Sequence, residues 1–145
     1  MKLEIKIRKG LDELPFNCTT ESVRALLGDP DETEELDNQG DGSLESIVWN
    51  YINLGLNFFF DATGTEPILN TIESDNLETV LSGKKIFQLT QAGVIALMKA
   101  DGFTEYEEDD ETWGEHRLTF DNAQIDFYFT EGELTMVSWS CHQGA

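Results

Sequence analysis

The sequence predicts an α+β fold built from two helix-plus-antiparallel-meander units, and three observations predict it. The segment Phe16–Phe60 can be laid over Phe87–Phe129 with its apolar pattern nearly intact. Thr19 is followed by Val23, Ala25, Leu26 and Leu27, and Thr90 by Val94, Ala96, Leu97 and Met98 at the same spacings. Leu56, Phe58 and Phe60 alternate with other residues as Ile125, Phe127 and Phe129 do, the period of a strand buried on one face. Units that repeat in this way stack and share a core. The chain therefore reads as a single domain over 1–145, with repeats at about 11–75 and 83–140 and an N-terminal strand at 2–8.

That first strand is expected because Leu3, Ile5 and Ile7 alternate with Lys2, Glu4, Lys6 and Arg8. Thr19 is placed to cap a short helix, and Gly28-Asp29-Pro30 stops it. The acidic stretch Asp31–Gly42 lacks periodicity and reads as an exposed loop. Strands follow at Ser46–Tyr51, Leu54–Asp61 and about Pro67–Glu73. Asn76–Gly83 joins the copies with a helical turn through Leu77, Val80 and Leu81. The second unit has a helix from Thr90 to about Ala100, in which Gly93 marks close packing on the sheet. An acidic loop at Glu105–Glu111 follows, then strands at about Glu115–Asp121, Ala123–Thr130 and Leu134–Ser140. The apolar face of each meander is expected to pack under the helices.

At 145 residues the chain is long enough to bury a core without metal or disulfide support. With 39% apolar residues it is too hydrophobic for its charge to mean disorder. Acidic residues number 29 against 9 basic ones, a net charge of −20. Such a field repels nucleic acid and anionic membranes and attracts a basic partner. Cys18 and Cys141 form no zinc or disulfide framework and read as free thiols. The charged and apolar residues of Met1–Lys9 alternate, so no signal peptide is expected there, and no apolar run approaches membrane-span length. The expected location is the cytoplasm.

Nothing in the sequence builds a catalytic constellation. His116 and His142 have no nucleophile or base partner at recognisable spacing, and no phosphate-binding, nucleophile-elbow or zinc-protease motif occurs. The chain is expected not to be an enzyme and to need no cofactor. Counted as a calcium loop of twelve residues from Asp37, the chain has Gln39 and Val48 where liganding residues belong, so the run Asp37–Gly42 reads as a solvated turn. The candidate surface comprises two parts. On the meander face opposite the core, Asn57 and Phe59 match Asp126 and Tyr128, a polar and an aromatic residue in each unit. The acids Glu107, Glu108, Asp109 and Asp110, flanked by Tyr106 and Trp113, form the second part, an epitope for a cationic surface.

The stretch Phe16–Asp31 carries Thr19, Val23, Leu27, Gly28 and Pro30, with Asn17 and Cys18 ahead of them. It resembles the opening hydrophobic-Gly-Met-Thr-x-x-x-Val-x-x-x-Leu-Gly-x-Pro of the BLIP-like superfamily, the group of the beta-lactamase inhibitor protein and SmpA/BamE. Small cytoplasmic proteins that look like immunity proteins of toxin systems are similar too. The resemblance implies one curved sheet, with the helices packed on one face and the other free to bind. Phe59 and Tyr128 would lie on that free face, with Trp113 and Asp109-Asp110 near its rim. The function expected is an immunity or inhibitor protein acting on a basic toxin or enzyme. The alternative is a small-ligand or divalent-cation-binding domain.

Overall fold

In a computed structural model, which describes residues 2–37, 44–110 and 114–141, the chain is mostly β, with 48% strand and 17% helix. An N-terminal arm forms a small antiparallel sheet from β1 (Ile5–Lys6), β2 (Gly10–Leu11) and β3 (Leu14–Pro15). After α1 (Thr20–Leu27) come β4 (Glu32–Asp37), β5 (Leu44–Tyr51), β6 (Leu56–Asp61) and β7 (Ile68–Ser74). A hairpin of β8 (Val80–Leu81) and β9 (Lys84–Lys85), a 3-10 turn at Ile86–Gln88 and α2 (Gln91–Ala100) lead to the remaining strands. These are β10 (Glu107–Asp110), β11 (Glu115–Phe120), β12 (Ile125–Thr130) and β13 (Glu133–Ser140). The large sheet is antiparallel throughout, in the order β10-β11-β12-β13-β7-β6-β5-β4.

This corrects the expected fold class. An α+β arrangement of two repeated helix-plus-three-strand units, its sheet packed under helices, is not what the chain adopts. The two helices are short, and they bury only Val23 from α1 and Val94 and Met98 from α2. The arm contributes more of the core, through Leu3, Ile5, Leu11, Leu14 and Phe16, and the segment after β7 adds Leu81 and Ile86. A helix of two or three turns covers too little of an eight-stranded sheet to form a layer of its own.

The two acidic loops are also corrected, because Glu32–Asp37 and Glu107–Asp110 are strands. They form the two edges of the sheet, and every residue of both is exposed. A strand with neither face buried shows no alternation of polarity, and charge on an edge keeps it from pairing with a second sheet. The N-terminal strand at 2–8 shrinks to Ile5–Lys6, because Arg8 takes a left-handed φ of 61° that turns the chain back. The helical turn expected within Asn76–Gly83 is instead the β8–β9 hairpin. Ser82 and Gly83, with φ of 51° and 80°, both take the positive angles that a two-residue hairpin turn requires.

Alternation fills the core. Leu56, Phe58, Phe60, Ile125, Phe127 and Phe129 are almost wholly buried, as are Leu118, Phe120, Leu69, Ile72, Val137 and Trp139 on neighbouring strands. Several of the rings meet edge to face, Tyr51 on Phe58 at 5.6 Å and Phe120 on Phe127 at 5.9 Å. The Trp139 indole N–H donates to the Gly10 carbonyl at 2.8 Å, fastening the arm to the centre of the sheet. Arg24 lies 5.0 Å over the Trp49 ring, and the Tyr51 hydroxyl donates to the Gly28 carbonyl where α1 ends, so α1 is tied to β5. Thr90 caps α2 by accepting from the Gly93 N–H at 3.1 Å, whereas Thr19 makes no side-chain cap bond. Gly93 is packed close, but against Leu89 and its own cap rather than the sheet. Cys18 and Cys141 are free thiols. Among the described residues no helix is long and apolar enough to cross a membrane.

Candidate functional site

The sheet has a core face and a second face, and strand register decides what the second one carries. Since Phe58, Phe127, Ile72 and Trp139 point into the core, their neighbours along each strand point away. Pairing across the strands then places Glu107, Thr119, Asp126, Ser138, Glu73, Asn57, Asn50 and Glu32 in one line. The line crosses all eight strands and holds only polar side chains. Within it Thr119 donates to the Asp126 carboxylate at 2.6 Å, and the Asn57 amide donates to Glu73 at 3.4 Å. Partial burial pushes the Glu73 carboxyl above its usual range, and the Asn57 bond offsets this only in part.

Apolar groups flank the polar line on opposite sides. Phe59 pairs with Val48 on one side, and Tyr128 pairs with Met136 on the other. Arg117 sits across from Tyr128 and forms an ion pair with Asp109 at 3.0 Å. It is the only Lys or Arg in the eight strands. Burial raises the Tyr128 hydroxyl above its usual pKa, the negative charge of Asp126 adds to this, and Arg117 opposes it.

The predicted surface residues divide accordingly. Asn57, Phe59, Asp126 and Tyr128 share the face opposite the core. Phe59 and Tyr128 do not adjoin, because β7 and β13 lie between their strands, a lateral separation of roughly 14 Å at the usual strand spacing. The acidic run splits between faces: Glu107 and Asp109 share the open face with Asp126, and Glu108 and Asp110 turn to the other with His116. Tyr106 is partly buried, its ring packing on Phe120 at 5.3 Å beside the core. Trp113, His142 and most of the Asp37–Gly42 run lie outside the described residues.

Sequence reasoning missed Glu73, Ser138 and Arg117. Strand alternation puts each on a solvent-side position, but only the pairing of β7 with β13 and β6 places Glu73 at the middle of the face. Among the described residues no three or more His, Cys, Asp or Glu side chains are grouped to hold a metal ion. A cleft of about 910 Å³ is lined by Leu3, Leu26, Leu27, Leu54 and Val80 together with charged side chains of both signs, Lys2, Lys85, Glu13 and Glu78 among them.

His116 has a settled role in the edge. Its Nδ1 lies 2.7 Å from Asp110 and its Nε2 3.3 Å from Glu108, and the hydrogen bond to Asp110 is the main reason its pKa is raised. The fold favours the imidazolium form. Its contribution to stability is complete below the ordinary histidine value of about 6.5 and is lost as pH rises through the raised one. In an NMR titration His116 is expected to titrate above that ordinary value, and Asp110→Asn to bring it back down. An unshifted titration in the unaltered protein would contradict the pairing.

No family model matches the chain, and no curated protein matches it. Among solved structures it is similar to an extracellular protein containing an SCP domain from Bacillus anthracis str. Ames. The similarity has a TM-score of 0.47 at 13% identity and covers 94% of this chain and 50% of that one. The chain thus spans about half the length of that protein.

Proposed function

We propose that the chain is a non-enzymatic protein-binding module, an immunity or inhibitor protein that acts in the cytoplasm on a basic toxin or enzyme. The observation that carries this reading is the polar line across the open face, with Glu73, Asp126, Glu107 and Glu32 in it and aromatic groups beside it. Carboxylates there would steer a cationic surface and set its register, and Phe59, Tyr128 and Met136 would supply desolvated contact area. A net charge of −20 makes nucleic acid and anionic membrane poor partners for the same face. The likeness of Phe16–Asp31 to the opening motif of the BLIP-like superfamily, which includes an inhibitor protein, supports the reading.

The test is co-purification from the source cells, followed by association kinetics with the protein recovered. A basic partner is expected, with an on-rate that falls at least tenfold as salt is raised from about 20 to 300 mM, since screening shortens the reach of the field. Paired replacement of Glu73→Gln and Asp126→Asn should lower the on-rate, and Tyr128→Ala should speed dissociation. Recovery of no partner, or of one whose on-rate ignores ionic strength, would refute the proposal.

A further inference from the structure

We propose that the edge strand β4 is the docking strand, and that an extended, lysine- or arginine-rich segment of the partner adds beside Glu32–Asp37 as a ninth strand. The inference rests on the protein-binding reading above and specifies where and how the partner engages.

The backbone of β4 is available for this. Ala62 donates to the Glu45 carbonyl at 3.0 Å, so the odd-numbered peptide groups of β5 face β6 and the even-numbered ones face β4. The Asn50 carbonyl indeed accepts from Asp31 at 2.9 Å. Glu32, Glu34 and Leu36, which pair with Asn50, Val48 and Ser46, therefore make the ladder bonds. The N–H and C=O groups of Thr33 and Glu35 point outward from the sheet. All six residues of β4 are exposed, and six residues of strand span roughly 20 Å. That is the length over which main-chain hydrogen bonds hold an added peptide strand.

Charge selects the occupant. On the opposite edge three of the four acids are already matched, Asp109 by Arg117 and Glu108 and Asp110 by His116, which leaves Glu107. On β4, Glu32, Glu34, Glu35 and Asp37 have no ion-pair partner among the described residues. A second copy of the chain would bring four carboxylates against four, a strongly unfavourable cross-strand pairing. A basic strand meets opposite charge on both faces, with the half-exposed Leu36 offering one apolar contact. The same acids thus reject the chain's own edge and accept a cationic one.

The test uses the full chain, labelled with nitrogen-15, and a nine-residue peptide in which lysine alternates with valine or threonine. A control peptide has the same composition but alternates D- and L-residues, so it cannot extend into a regular ladder. With the first peptide, saturable amide shifts and slowed hydrogen exchange are expected at Thr33 and Glu35, with at least tenfold weaker binding by the control. In β4, Thr33→Pro removes an outward N–H without touching the internal ladder, and is expected to weaken binding at least tenfold with an unchanged melting temperature. Should Thr33→Pro unfold, Glu34→Lys with Glu35→Lys carries the same expectation. Shifts centred on Glu73 and Asp126 with β4 unmoved would overturn the docking strand while leaving the protein-binding reading standing. Equal binding of the control, absence of saturable binding, or dimerisation through β4 would each overturn it as well.

Discussion

Replacing Gly10 with alanine is expected to cost more than about 3 kcal/mol and to loosen the N-terminal arm from the sheet. Gly10 has a φ of 145°, a region that L-residues rarely enter. A Cβ there would lie 2.0 Å from the Leu14 carbonyl oxygen and 2.9 Å from the Pro15 Cα. Both are backbone atoms, so no rotamer change relieves the clash. Gly10 pairs with Lys6 and Pro15 within the arm, and its carbonyl receives the Trp139 indole, so a shift here propagates to Leu11 and Leu14 in the core. Domain stabilities of about 5–15 kcal/mol make such a loss a large fraction of the total. Urea unfolding followed by tryptophan fluorescence measures it. A loss under about 1 kcal/mol would mean the arm does not take this path over the sheet.

Trp139→Ala is expected to cost about 3–5 kcal/mol, the usual range for deleting a buried tryptophan. Its side chain is completely buried between β7 and the arm, opposite Ile72. Two effects combine, and a second substitution separates them. Trp139→Phe retains much of the apolar contact but removes the donor to Gly10, leaving that carbonyl unsatisfied at a cost of about 1–3 kcal/mol. If the alanine and phenylalanine variants were equally unstable, the hydrogen bond rather than the ring would hold the arm. If phenylalanine were neutral, the bond would contribute nothing.

Parts of this structure are legible in the chain because they repeat locally. Strands β5, β6, β11 and β12 follow from apolar residues at every second position, whereas in β7 and β13 a bulge sets the inward residues Leu69 and Ile72, and Leu134 and Val137, three apart. The same alternation puts Asn57, Phe59, Asp126 and Tyr128 on the face away from the core. The edge strands offer no such signal. With β4 and β10 exposed on both faces, their sequences are runs of acid that read as loops, and only a paired neighbour makes them strands. Apolar spacing located α1 and α2 but overstated them, since a periodic stripe does not reveal that each helix buries only one or two side chains. Tyr106 is the opposite case: beside five carboxylates it reads as exposed, but the turn into β10 brings its ring onto Phe120 and buries it in part.

The sequence by itself determined which residues of β5, β6, β11 and β12 turn inward, the acidic character of the exposed surface, and the positions of the two helices, but not the bulges that change the phase of β7 and β13. These depend on periods of two and 3.6 residues and on composition, all local to the chain. Only the tertiary structure decided that the arm closes over the core, that the acidic segments border the sheet, and that Glu73 meets Asn57 in a line reaching from Glu107 to Glu32. Those facts depend on which strands lie side by side and in what register, and that is set by long-range burial of the whole core, to which no single segment holds the key.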